Sequence, residues 1–380
     1  MSLRFSICRR YLFLLITVFL TLWLPANAQL FNPSDPQATN ETRQLYYSMQ
    51  RLKGAGTIFG HHDDTAYGVG WCFVKDQSDV KSVTGTYPAI YGWDLAKIEH
   101  DSVRDINGVP FKYQKQLVQE AYRRGGINTF CWHMDNPANG KTAWDTSMRT
   151  VATILPCGEH HETYKQWLDK AAAYMADLKG DDGEQIPILF RPFHELTGNW
   201  FWWCANTSSP EEFKQLWRFT IDYLRQTKKL HNLLIVFSEA DFNSETDFLQ
   251  RYPGNGYVDF IGFDNYCYKN IEDYKYNLDK RLGIIDGIAK RNNKLTCLPE
   301  TGYEQIPQAN WWTTVLQPIL ANHQPSYVMI WRNGRPDHYY APYPGQISEA
   351  DFKKFFASPQ VIFENRIAPL GVYGKYVLKK

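Results

Sequence analysis

Short apolar runs recur along this chain, and polar or amphipathic stretches separate them. Eight can be picked out: "TIFG" at 57–60, "PAIYGW" at 88–93, "INTFCW" at 127–132, "IPILFRPF" at 186–193, "LLIVF" at 233–237, "VDFIGF" at 258–263, "KLTCL" at 294–298 and "SYVMIW" at 326–331. Their length and β-branched content predict buried strands. Helical spacing appears between them. Tyr164, Trp167, Leu168, Ala171, Met175 and Leu178 form one stripe, which Lys179-Gly180 is expected to stop. Ser209-Pro210-Glu211-Glu212 reads as a capping box with proline at the first helical position, and Phe213, Leu216, Trp217, Thr220 and Leu224 make the buried stripe behind it. Strands alternating with helices predict a parallel sheet, and eight in one domain of this size predict an α/β fold, a single (β/α)8 TIM barrel.

The N-terminus follows another pattern. Arg4, Arg9 and Arg10 precede the apolar run Tyr11–Leu24, which is short for a membrane span, and Ala26-Asn27-Ala28 offers a small-x-small cleavage site. Residues 1–28 are therefore expected to be a signal peptide, with export to the periplasm or medium and no membrane attachment after cleavage. Position 29 is Gln, so nothing there suggests a lipid anchor. Residues 29–45 read as a polar N-terminal leader and 46–380 as the catalytic domain.

Composition narrows the partner. Net charge is +1 with 21% charged residues and no charged block, which argues against nucleic acid. Aromatic residues make up 16%, including 13 Trp. Most should be core, yet indole faces also stack on the C–H faces of sugar rings. Of the cysteines, Cys8 leaves with the signal. Cys72, Cys131, Cys157, Cys204, Cys267 and Cys297 follow no disulfide framework, and no CxxC suggests structural zinc.

Polar residues collect where the predicted strands end: His61-His62-Asp63-Asp64, Asp94, His133, His194-Glu195, Ser238-Glu239, Asp264-Asn265-Tyr266, Glu300 and Trp331-Arg332. In a barrel these ends meet on one face, where active sites are built. Cleaving a glycosidic bond takes two carboxyl groups, one protonated and one ionised. Asp63, Asp64, Asp94, Glu195, Glu239, Asp264 and Glu300 are all candidates, and position alone does not choose among them. The 61–64 quartet with His133 has the residue types of a metal site. However, HELTG lacks the second His of HExxH, GHHDD lacks an HxH, and a metal site needs no row of Trp.

"RPFHELTGNWFWW" at 191–203, with "LPETGYE" at 298–304, resembles glycoside hydrolase family 26, a β-mannanase family of clan A. "GHH", "WHMDNP", "GFDNY" and "WRNG" extend the resemblance across residues 45–380. It implies a retaining enzyme acting on β-1,4-mannosidic bonds in mannan or manno-oligosaccharides, without cofactor or metal and as a monomer. It also implies Glu195 as acid/base and Glu300 as nucleophile. His133 and His194 would shape the site beside the reacting sugar, and Trp200 would serve the leaving-group side. Tyr266 would hold the nucleophile, Trp331 would lie under the reacting sugar, and Arg332 would reach the next sugar beyond it. The family has no acid or base at Glu239, which is expected to bond His or Tyr side chains in the pocket. Asp94 and Asp264 are expected to orient neighbours or substrate hydroxyls. A β-glucanase or β-xylanase of the same family is the alternative, and a non-catalytic sugar binder is disfavoured because both glutamates are present.

Overall fold

The computed structural model describes residues 30–268 and 270–374. The signal-peptide reading falls outside them. Eight strands form the barrel: β1 (Thr57–His62), β2 (Ile90–Asp94), β3 (Ile127–Cys131), β4 (Ile188–Arg191), β5 (Leu233–Glu239), β6 (Phe260–Cys267), β7 (Leu295–Tyr303) and β8 (Tyr327–Ile330). Neighbours pair in chain order, every pairing is parallel, and β8 closes on β1 through Ile58 opposite Tyr327 and His61 opposite Ile330. All residues of β1 to β5 are buried, as expected of parallel strands covered on both faces. Each predicted apolar run overlaps one strand, and five of the strands run on past it.

Two boundaries moved. The stripe beginning at Tyr164 lies on the helix His161–Ala176, which stops before Lys179. Lys179 instead bridges Gln185, and a turn at Gly183 leads into β4. The helix Pro210–Asp222 carries the expected Ser209/Glu212 capping box. At the N-terminus, the helix Asn40–Leu52 crosses the expected leader boundary. Thr39 caps it, and Phe31 packs edge-on against Tyr46 with ring centroids 5.6 Å apart. Tyr46 donates to the Asp259 carbonyl and Ser34 N–H to the Asp259 carboxylate, so this segment covers the barrel end where β6 begins.

β7 holds the feature that matters most for chemistry. Gly262 pairs with Cys297 and Asp264 with Glu300, so β7 spends one more residue than β6 over the same span. The same slip occurs against β8, between Val328 and Ile330. The extra residue forms a bulge around Pro299, a position where a residue without N–H costs no ladder bond. Gly262 makes room for it: a Cβ there would lie 2.6 Å from the Cys297 carbonyl oxygen. Because side chains alternate faces, a one-residue slip re-aims everything after it. Glu300 consequently lies within β7, not beyond its end.

Candidate active site

Glu195 follows β4 on a tightly specified turn. Phe193 (φ 50°) and Glu195 (φ 55°) both occupy the left-handed region, with His194 between them. Such conformations cost about 1–3 kcal/mol each in non-glycine residues and persist where surroundings over-determine them. Here Glu195 N–H donates to the Ser238 carbonyl at 3.0 Å. The Trp203 indole donates to the His194 carbonyl at 2.8 Å. Phe193 is buried among Trp202, Trp203, Phe213 and Trp217. Trp202 and Trp203 are thus core residues that fasten the turn. Of the three Trp in the motif, only Trp200 is substantially open, at 37% exposed, and its indole donates to the Glu195 carboxylate at 2.5 Å.

Glu300 is buried and doubly held. Arg191 donates to one carboxylate oxygen, and the Tyr266 hydroxyl donates to the other at 2.7 Å. Arg191 uses its second nitrogen on Asp264 at 2.8 Å, and Ser238 donates to the other Asp264 oxygen at 2.8 Å. A rigid guanidinium fork suits this two-carboxylate task, and a lysine point charge does not. Carboxylate oxygens of Glu195, Asp264 and Glu300 all lie within 4.8 Å of one another. Burial, and then the Glu300 charge, push the Glu195 carboxyl up from its ordinary 4.5 to about 7, while Trp200, Arg191 and His133 pull the other way.

Two histidines complete one wall. His133 Nδ1 meets Asp94 at 2.6 Å, and its Nε2 meets His194 Nε2 at 3.1 Å. Burial opposes a charge on His133, but the Asp94 carboxylate outweighs it and the pKa is raised. His194 is lowered well below its usual value by burial, then by Arg191 and His133. The raised His133 and the lowered His194 both favour His133 as donor and His194 as acceptor in their contact. Trp144, on the long loop after β3, stacks on His133 at 5.4 Å, and Phe201 meets the same ring edge-on at 5.5 Å. Trp331 packs against His62 at 4.4 Å and faces His133 at 6.2 Å.

Seven of the eight expected site residues, Glu195, Glu300, His133, His194, Trp200, Tyr266 and Trp331, meet in this cluster. Arg332 stands beside it, 3.4 Å from the Tyr67 hydroxyl, which donates to Asp63 at 2.5 Å. Asp63 also accepts from Asn107, His61 bonds Asp64 at 2.7 Å and His62 Nε2 meets Cys131 Sγ at 3.6 Å, so all four members of the 61–64 quartet are engaged in hydrogen bonds. Glu239 departs from expectation. Ser238 points inward to Asp264, so the next residue points out of the barrel. Glu239 is fully buried there, neither oxygen has a hydrogen-bond partner, and burial pushes its carboxyl well up. It bonds no His or Tyr of the pocket. Arg191 is the residue sequence reasoning passed over. It ends β4 inside the quoted motif, and a buried charge at a strand end was the available signal. Trp144, on an aperiodic loop, gave none; Phe201 lies inside the quoted motif, where its tryptophan neighbours drew the attention.

The glycosyl hydrolase family 26 model matches residues 34–331. The family 26 β-mannanase of Bacteroides ovatus is 40% identical, with a TM-score of 0.85 over 87% of this chain and 97% of that one. The modular endo-β-1,4-mannanase of Cellulomonas fimi is 31% identical, with a TM-score of 0.82 over 91% and 80%. The mannan endo-1,4-β-mannosidase of Bifidobacterium adolescentis is 33% identical in an alignment that covers 87% of this chain but 35% of that larger protein. This chain belongs to glycosyl hydrolase family 26.

Proposed function

We propose that this chain is an exported retaining endo-1,4-β-mannanase, with Glu195 as acid/base and Glu300 as nucleophile. The observation that carries it is the separation of the two carboxylates. One oxygen of each lies within 4.8 Å of the other, which fits the roughly 5–5.5 Å between the carboxyl groups of retaining enzymes better than the about 6.5–9.5 Å of inverting ones. Their environments also divide the roles. Glu300 receives donors on both oxygens, which fix its orientation and aim it as a nucleophile. Glu195 keeps a proton near neutrality. The relatives' names favour mannan over glucan or xylan.

In the first half-reaction, Glu300 attacks the anomeric carbon while Glu195 gives its proton to the departing oxygen. The product is an ester on Glu300, which is uncharged. One of the causes holding the Glu195 pKa up is then gone, so Glu195 ionises more readily and can take a proton from water. Water attacks, the ester bond breaks, and both carboxyls return to their starting state. His133 and neutral His194 fix the wall beside this sugar, while Trp331 and Trp144 supply apolar faces that exclude water.

The test is the burst of phenol from an activated aryl β-mannoside. A leaving group of low pKa needs no acid, so Glu195→Ala should form the ester at a near-normal rate, then stall. Azide needs no base and should restart turnover, giving a β-mannosyl azide. Glu300→Gln should show no burst under any condition. A burst from Glu300→Gln, or none from Glu195→Ala, overturns the assignment.

A further inference from the structure

Arg281 is a buried charge that takes no part in the chemistry described so far. It lies on the helix Ile271–Asn292, on the same buried face as Tyr274, Leu278, Leu282 and Ile285. A leucine or methionine would fill such a place without the cost of burying a charge, which persists only where it is paired and bonded. Arg281 reaches three groups. Nη1 donates to the Asn265 side chain at 2.9 Å, Nε donates to the Phe242 carbonyl at 3.3 Å, and Nη2 meets the Asp241 carboxylate at 2.5 Å. The planar guanidinium has donors for all three at fixed angles, and a lysine ammonium does not.

These partners stand directly behind the two glutamates. Side chains alternate along β6, so Asn265 points out to the helix while Asp264 and Tyr266 point in, to Arg191 and Glu300. Asn265 pairs with Thr301, the residue after Glu300, whose hydroxyl donates to the Asn265 carbonyl at 2.6 Å. Asp241 and Phe242 belong to the segment that leaves β5. There the Thr197 hydroxyl accepts from Ala240 N–H at 3.0 Å and from Asp241 N–H at 3.1 Å, and Thr197 is two residues after Glu195. Inside the barrel, Ser238 joins the same two frames: its carbonyl holds Glu195 N–H and its hydroxyl meets Asp264. Arg281 is the matching tie on the outside.

Resting on the retaining-mannanase reading, the geometry points to Arg281 as a positioning residue that fixes the turn carrying Glu195 relative to the strands carrying Glu300. It acts through Asn265 on one side, and through residues 240–242 and Thr197 on the other. The acid must meet the departing oxygen while the nucleophile meets the anomeric carbon of the same sugar, so the two carboxyls have to be placed together. With the tie cut, Arg191 and Tyr266 still aim Glu300, whereas the Glu195 turn gains freedom. The loss therefore falls on proton delivery more than on nucleophilic attack.

The experiment measures kcat and KM for the wild type, Arg281→Met, Arg281→Lys and Thr197→Val. The substrates are mannotetraose and an activated aryl manno-oligoside, whose leaving group needs no proton. The ratio of the two kcat/KM values does not depend on how much protein is folded, so a role in stability alone leaves it unmoved. In Arg281→Met the mannotetraose-to-aryl ratio should fall by about 10-fold, through kcat and with KM nearly unchanged. That is less than the roughly 100-fold cost of a 1 Å misplacement, because the Ser238 tie remains. Arg281→Lys keeps the charge without the reach to all three partners, and should lose nearly as much. Thr197→Val cuts the same tie nearer to Glu195, and combined with Arg281→Lys it should cost little more than either change alone. A wild-type ratio in Arg281→Lys and Thr197→Val overturns the inference, even where Arg281→Met yields no folded protein. Losses that simply multiply in the double variant overturn it too. A wild type that cleaves no mannan overturns the mannanase reading and this with it.

Discussion

Removing the indole N–H of Trp200 while keeping an aromatic ring tests how the site sets the acid. Trp200 donates to the Glu195 carboxylate at 2.5 Å, and a donor favours the ionised form. Burial and the Glu300 charge favour the protonated form and bring the group to about 7. Trp200→Phe removes one of the opposing forces, so the Glu195 pKa should rise further. Because Glu195 must be protonated to act, the alkaline limb of kcat/KM should move to higher pH, although the variant has lost a contact to the acid. A hydrogen bond to a charged group contributes roughly 1.5–3 kcal/mol, or about one to two pKa units. Trp200 is 37% exposed, so water replaces part of that donor, leaving an expected shift of about half a unit to one unit.

The assay is kcat/KM from about pH 5 to about pH 9 for the wild type and Trp200→Phe, on mannotetraose and on an activated aryl manno-oligoside. The aryl leaving group departs without a proton, so its alkaline limb should be weak in both proteins. An upward shift confined to mannotetraose supports the argument, even if KM also rises through lost stacking. A limb that stays in place or moves to lower pH refutes it, as does an equal shift on both substrates.

Glu195 also carries a stability cost. Its folded pKa of about 7 exceeds the ordinary 4.5, so the folded state binds more protons between those values and stability falls as pH rises through that window. Glu195→Gln removes the charge and should raise Tm by several degrees at about pH 8 and little at about pH 4, by calorimetry; equal gains at both would refute it. Arg332→Ala should lower kcat/KM on mannotriose by about 10- to 150-fold, the worth of a charged hydrogen bond to a remote sugar, and less on long polymers. Unchanged kinetics on both would remove Arg332 from substrate binding.

Periodicity located every barrel strand because buried parallel strands are continuous apolar runs. It located strand ends less well, and for identifiable reasons. Pro299 looks like a terminator, yet β7 runs on through it to Tyr303 because a bulge accommodates the proline. The helix Asn40–Leu52 has its first buried apolar residue at Leu45, so its opening turn reads as leader. The strand-end carboxylates show a deeper limit. Glu239 ends a strand and Glu195 follows one, and a sequence does not state which face each takes. That depends on strand parity and on the left-handed turn at Phe193 and Glu195. Ser238, an unremarkable residue in the sequence, reaches Asp264 inside the barrel and leaves Glu239 outside. The motif was legible as chemistry, but its tryptophans were not legible as two anchors and one cleft residue.

Arg191 explains why one carboxyl here must hold a proton. Three carboxylates meet within 4.8 Å around a single guanidinium, and His133 is taken up by Asp94. Fully ionised, the cluster would hold two uncompensated negative charges in a largely buried space, which costs several kcal/mol per ion. Glu300 and Asp264 are tied to Arg191 directly, whereas Glu195 has only an indole donor and partial access to solvent. Burial pushes the Asp264 carboxyl up as well, against the pull of Arg191, but Asp264 has the guanidinium as a direct partner; Glu195, which lacks one, is the member of the cluster placed to give a proton away. When Glu300 becomes an ester, the cluster has two carboxylates to one guanidinium, and the demand for that proton weakens at the step where Glu195 must act as a base. The acid and the base are the same residue because the count of charges around Arg191 changes by one during the reaction.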